Sequence, residues 1–243
     1  MFLQRIAHPL QQYRTVRCLR QLHQVVDESE LRKFGKIGRD WWDSNSGAGV
    51  GPLHDMNPTR VKFIRESLAA YHSKEEEPVL KQLAGLQILD VGCGGGLLSE
   101  SLARLGASMT SIDPAERNIE VAKAHSSRDL KTATIDYQVN TIQEIAKSEK
   151  KYDVVCALEV IEHVPDVKDF LSSCFQALKP TGSLFVSTLN KSEKSRLFAI
   201  TFAEHILRMV PAGTHDWNKF VAPEELQNLI ENDLKFGKLH KMN

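Results

Sequence analysis

Three side chains able to hold a cation or move a proton fall within five residues: Glu159, Glu162 and His163, in the run Leu158-Glu159-Val160-Ile161-Glu162-His163-Val164. At spacings i, i+3 and i+4 they converge if the chain turns helically there. Two carboxylates and one imidazole suit a divalent cation such as Mg2+ or Mn2+, although histidine is uncommon for Mg2+. The same residues serve a plainer arrangement equally well, with Glu162 capping a turn and His163 packing beside a cofactor. His163 is also a candidate general base that needs no metal.

A second constellation precedes it. In Leu86–Gly96 (LQILDVGCGGG) an apolar run reaches Asp90 and opens into a turn carrying Gly92, Gly94, Gly95 and Gly96. A Cβ in such a turn blocks close approach of a ligand to the backbone. A dinucleotide fingerprint puts its third glycine five residues after the first, and that position is Leu97, so GxGxxG fails. No phosphate-loop lysine is present either. Asp113 stands 21 residues after Gly92, where an acid accepts hydrogen bonds from ribose hydroxyls. A glycine turn and a ribose acid without GxGxxG suit S-adenosylmethionine better than NAD. Arg60, near the start of a helix, reads as a solvated charge on its own terms.

The elements that must position these residues follow from periodicity. Ile88, Leu89 and Val91 mark a buried strand, and Leu97, Leu98, Leu102 and Leu105 share one face of the helix after the turn. SMTSID is a second strand, 114–128 a helix, Ile135–Asn140 a third strand and Ile142–Lys147 a short helix. Tyr152–Val160 is a fourth strand. The helix after it places Phe170, Leu171, Cys174, Phe175 and Leu178 on one face, and Pro180-Thr181-Gly182 turns into a fifth strand, SLFVSTLN. Strand and helix alternating in this way give a Rossmann-like, doubly wound α/β sheet with ligands at the carboxyl ends of the strands. Upstream, Ser29–Asp43 reads as one helix, SNSGAGVGP as a loop, and Pro58 as the first turn of the next helix. Downstream, Glu224–Glu231 is helical and LKFGKLHKM a last strand.

Composition narrows the function classes. The 243 residues carry 31 basic and 31 acidic side chains, and the absence of net charge argues against a general nucleic-acid binder. Cys18, Cys93, Cys156 and Cys174 form no CxxC pair, which argues against both a disulfide framework and a zinc site. No stretch approaches the roughly 20 apolar residues of a membrane span. Residues 1–26 hold Arg5, Arg14, Arg17 and Arg20 and no acid before Asp27. That pattern reads as a mitochondrial transit peptide, or as an ordinary basic helix. Lys194–Val210 is apolar on more than one face, which suits a core helix or one lying in a lipid interface.

DVGCGGG, SIDP, EVIEHV and LKPTGSLFVSTLN, in this order, resemble the class I methyltransferases. PLHDMNPTRVKFI (Pro52–Ile64), LEVIEHVPD, STLNKS and RMVPAGTHDWNKFVAPEEL are similar, more closely, to the ubiquinone-biosynthesis O-methyltransferase family, from about Phe34 to Leu239. The resemblance implies O-methylation of polyprenyl catechols, 3,4-dihydroxy-5-polyprenylbenzoate and demethylubiquinol, by S-adenosylmethionine. It implies cofactor contacts at Arg60, Gly92, Asp113 and Leu158, and Mg2+ at Glu159, Glu162 and His163. It further implies a peripheral place on the matrix side of the mitochondrial inner membrane, beside other enzymes of the route. Residues 1–28 are then expected to be a leader or disordered, and 29–243 the methyltransferase domain. The family's strand order is 3-2-1-4-5-7-6, with an antiparallel seventh strand between five and six. The sequence ends at Asn243, in or just after the sixth, so the fold is expected to lack that final strand and to leave strand five an open edge. A methyltransferase of another lipid or small molecule, and an inactive shortened subunit, are the competing readings.

Overall fold

Unbroken apolar runs, whose successive side chains point to opposite faces, build the centre of the molecule. The structure is a computed structural model and describes residues 2–6, 27–45, 50–188, 223–234 and 240–242. Its strands are β1 (Phe2–Ile6), β2 (Gln87–Val91), β3 (Ser108–Asp113), β4 (Asp136–Val139), β5 (Tyr152–Leu158), β6 (Leu178–Ser187) and β7 (His240–Met242). They form one sheet in the order β4-β3-β2-β5-β6-β1-β7. The five strands β4, β3, β2, β5 and β6 are parallel, with Asp90 opposite both Ser111 and Cys156. Ile88, Val154, Cys156 and Phe185 face one layer of helices, and Leu89, Val155, Ala157 and Leu184 face the other. Full burial of each such aliphatic side chain is worth about 1.5–3 kcal/mol. A strand packed on both faces therefore reads as an unbroken apolar run.

The helices are α1 (Glu28–Gly35), α2 (Gly51–Tyr71), α3 (Leu97–Arg104), α4 (Glu116–Ser126), α5 (Ile142–Ala146), α6 (Val167–Gln176) and α7 (Pro223–Asn228). Side chains of α2, α3 and α4 pack on the first face; those of α5, α6 and α7 pack on the second. Thr141 and Asp166 start α5 and α6 by accepting the backbone N–H three residues on.

Three expectations change. Ser29–Asp43 is two elements, α1 and a 3-10 turn at Gly38–Trp42, because Gly38 breaks the run at φ 57°. The second helix begins at Gly51, inside the stretch read as a loop, so Pro52 rather than Pro58 occupies its first turn and Pro58 lies within it. The third change concerns the sheet edge. β1 lies antiparallel between β6 and β7, with Phe2 opposite Ser187 and Met242 and Ile6 opposite Ser183. The position expected to stay empty is thus occupied from the other end of the sequence, and β6 is not an open edge. Residues 2–6, within the stretch expected to be a leader or disordered, are strand. Lys194–Val210 lies outside the described residues.

Candidate active site

β2 and β5 are neighbours, so the turns at their carboxyl ends lie side by side. In the first, Gly92, Gly94 and Gly96 all take positive φ, backbone that costs an L side chain about 1–2 kcal/mol. What a Cβ would strike is the chain itself. At Gly92 it would come within 2.7 Å of Val160 Cγ2, and at Gly94 within 2.5 Å of Trp41 Cη2. The glycines thus admit Trp41 as well as any ligand. Trp41 Nε1 donates to Asn118 Oδ1 at 2.9 Å, and Asn118 Nδ2 donates to Asp113 Oδ1 at 3.1 Å. Trp42 Nε1 donates to the Gly95 carbonyl at 2.9 Å.

Asp113, at the end of β3, is buried. Its Oδ2 accepts from Gly94 N at 3.0 Å and its Oδ1 from Ala115 N at 2.8 Å. Burial raises its pKa above the ordinary carboxylate value, while these backbone and Asn118 hydrogen bonds pull it back. Asp90, beneath the turn, accepts from Ser99 Oγ at 2.5 Å, and burial lifts its pKa to about 6.

The turn after β5 is built differently. Glu159 sits at φ 56°, a conformation uncommon for a residue with a side chain. It is held by Ser187: Ser187 Oγ donates to Glu159 Oε1 at 2.7 Å, and Glu159 N donates to Ser187 Oγ at 3.1 Å. Arg60 reaches this carboxylate from α2, with Nη2 3.5 Å from Glu159 Oε1. It is not the solvated charge its sequence context suggests: it is buried, and its Nε and Nη2 have no hydrogen-bond partner. Desolvation lowers its pKa, against the pull of Glu159. Glu162 is buried as well, and its Oε2 lacks a partner. Burial first, and the Glu159 charge second, push its carboxyl well above the ordinary range.

Of the residues singled out by sequence, Arg60, Glu159 and Glu162 interact electrostatically at one place, and Gly92 and Asp113 lie across the first turn. Leu158 ends β5, half-buried, between them. His163 Nδ1 stands 3.0 Å from Glu30 Oε2, and the Phe34 ring meets the imidazole edge-on at 4.9 Å. Among the described residues no three His, Cys, Asp or Glu side chains gather as a cation site. The continuous helical turn expected there is absent: Ile161–His163 is a 3-10 turn, and Glu159 precedes it in left-handed backbone. Glu30, Trp41, Asn118 and Ser187 were not legible as site residues. Glu30, Trp41 and Ser187 reach the site from distant segments, while Asn118 lies one helical turn beyond Asp113, which it bonds.

Residues 59–232 match the family described as Methyltransferase domain. The chain is 43% identical over 219 residues to the ubiquinone biosynthesis O-methyltransferase of Pelagibacter ubique, covering 90% of this chain and 88% of that one. It is 46% identical over 212 residues to the mitochondrial ubiquinone biosynthesis O-methyltransferase of Bos taurus, covering 86% of this chain and 56% of the longer bovine protein. In fold it is similar to the magnesium protoporphyrin IX methyltransferase of Synechocystis with bound SAH, at TM-score 0.58 and 18% identity over 85% of this chain and 89% of that one.

Proposed function

The chain belongs to the ubiquinone biosynthesis O-methyltransferase family, and from that membership we propose that it transfers a methyl group from S-adenosylmethionine to a hydroxyl of a polyprenyl catechol. The residues fit the donor. Arg60, buried with Nε lacking a hydrogen-bond partner and Nη2 held only by a 3.5 Å ion pair to Glu159, has capacity for a carboxylate brought by a ligand. Asp113 suits the ribose, with the Gly92 turn and Leu158 flanking it. When bound, the donor supplies an electrophilic methyl on a sulfonium. The chain's own task is to orient the acceptor in line, exclude water and take the phenolic proton.

His163 is the base in this reading. Glu30 Oε2 lies 3.0 Å from Nδ1, so a carboxylate stands beside the imidazolium that forms when the ring takes the proton. As the oxygen–carbon bond forms, the carbon–sulfur bond breaks and its electron pair stays on sulfur. The contact between Glu30 and His163 carries this assignment. A second reading places Mg2+ on Glu159, Glu162 and His163, and draws support from the orphaned Glu162 Oε2 beside Glu159. A cation there would acidify the catechol, but the imidazole would first have to leave Glu30.

Mass spectrometry of a short-chain polyprenyl 3,4-dihydroxybenzoate incubated with chain and donor tests the reaction, and donor binding without methyl gain overturns it. Glu30→Gln and His163→Ala test the base: turnover falls roughly 10²–10⁴-fold for His163→Ala, and EDTA has little effect. Loss of turnover on EDTA treatment with recovery on added Mg2+ selects the second reading instead.

The reading also places the protein peripherally on the matrix side of the mitochondrial inner membrane, with other enzymes of ubiquinone synthesis. The acid-free start and the mitochondrial bovine relative support it. Among the described residues no helix is long and apolar enough to cross a membrane. β1 lies in the stretch read as a leader, so cleavage and the strand exclude each other in one molecule. The N-terminal sequence of protein recovered from mitochondria decides between them.

A further inference from the structure

Between the Gly38–Trp42 turn and α4 lies a cavity of about 510 Å3 that methyl transfer does not use. Three guanidinium groups line it: Arg39, Arg117 and Arg128. One carboxylate answers them, Glu120 Oε2, 2.7 Å from Arg117 Nη1. The side chains of Arg39 and Arg128 have no ion-pair or hydrogen-bond partner among the described residues. Basic and acidic residues balance at 31 each over the whole chain, so this excess is local and not a product of composition. Like charges around one opening repel, and an anion placed among them adds an attraction to each that offsets this repulsion.

The wall of the cavity is fixed from behind. The rings of Trp42 and His125 stack with centroids 3.4 Å apart and planes 6° apart. His125 Nδ1 stands 2.7 Å from Oε1 of Glu100, whose side chain is fully buried. Trp42 is tied to Gly95, as described above, and Val121 and Ala124 of α4 add apolar surface. A positive rim over a rigid, partly apolar wall matches a phosphate joined to an organic group. Guanidinium forks meet phosphate oxygens two at a time, and 510 Å3 exceeds what a bare ion fills. We propose that this cavity is a second site, which binds a phosphate-bearing anion between Arg39, Arg117 and Arg128. A soluble phosphate ester and a phospholipid head group present that same chemistry.

Calorimetry with glycerol 3-phosphate, and flotation with phosphatidylcholine vesicles with and without phosphatidylglycerol, test it on the full chain. The variants are R39Q combined with R128Q, and K123Q as a control from the same helix outside the cavity. All three cations are exposed, and melting curves verify the fold. The double variant is expected to lose about tenfold or more in affinity, the scale of lost charge-assisted hydrogen bonds, with K123Q matching the parent. Loss in the soluble arm identifies a free ester as the source; loss in flotation alone identifies the head group. A parent that binds neither probe, a double variant that binds both as the parent does, or an equal loss in K123Q overturns the site.

Discussion

The turns after β2 and β5 are neighbours with opposite designs. Around the glycine turn the chain satisfies the Asp113 carboxylate and covers the backbone itself, although the buried Tyr137 hydroxyl against Gly96 has no hydrogen-bond partner. Asp113 accepts from Gly94 N, Ala115 N and Asn118 Nδ2, and two tryptophans seal the backbone. Around the second turn the chain leaves Arg60 Nε and Glu162 Oε2 buried without a hydrogen-bond partner, and Arg60 Nη2 with only a 3.5 Å ion pair to Glu159, a glutamate at φ 56°. Each such group costs free energy in the absence of a partner. The first turn is therefore largely sealed by the chain's own side chains, whereas the second keeps buried charged groups with unmet hydrogen-bonding capacity. Substitutions should lower stability at one and change binding and titration at the other.

Gly94→Ala puts the largest strain on this contrast. A Cβ there meets Trp41 in backbone that disfavours it. The melting transition should lose about 2–4 kcal/mol, the sum of a left-handed penalty and local overpacking. An unchanged melt would mean that Trp41 does not seal the turn. Arg60→Met is the converse. It removes a desolvated guanidinium but also its attraction to the partly exposed Glu159 carboxylate, so the two effects offset and the melt should change little, while donor affinity measured by calorimetry falls by about 1.5–3 kcal/mol. A fall in both would make Arg60 a structural residue.

Glu162→Gln sharpens the comparison through pH. Burial and the Glu159 charge raise the Glu162 pKa on folding, so the folded chain holds that proton more tightly than the unfolded chain. Its contribution is full below the ordinary carboxylate range and drains away as pH rises through the raised value. The variant should melt higher than the parent at pH 8, by on the order of 2 kcal/mol, and the two should converge near pH 4. Parallel curves would place the charge of Glu162 in solvent. Ser187→Ala is the smallest test. Losing the hydroxyl that holds Glu159 should cost about 1 kcal/mol and raise KM more than it lowers kcat. A stability loss with unaltered kinetics would confine Ser187 to the fold.

The sequence by itself carried the parallel core. A strand buried on two faces must be apolar throughout, and Ile88-Leu89 and Val154-Val155-Cys156-Ala157 advertise that locally. It also carried the glycine turn and Asp113, because positive φ and a strand-end acid are properties of single positions. The family resemblance pointed to Arg60, and its burial came only with the fold. Tertiary structure alone decided the rest. The direction His163 faces depends on Glu30, and the reason Gly94 must be glycine depends on Trp41. The arginine-lined cavity depends on a turn and a helix joined by no local pattern. The occupant of the antiparallel position beside β6 could not be read from its neighbours at all. A strand pairs through backbone groups that every residue carries, so Phe2–Ile6 bears no mark of its partner until the sheet assembles.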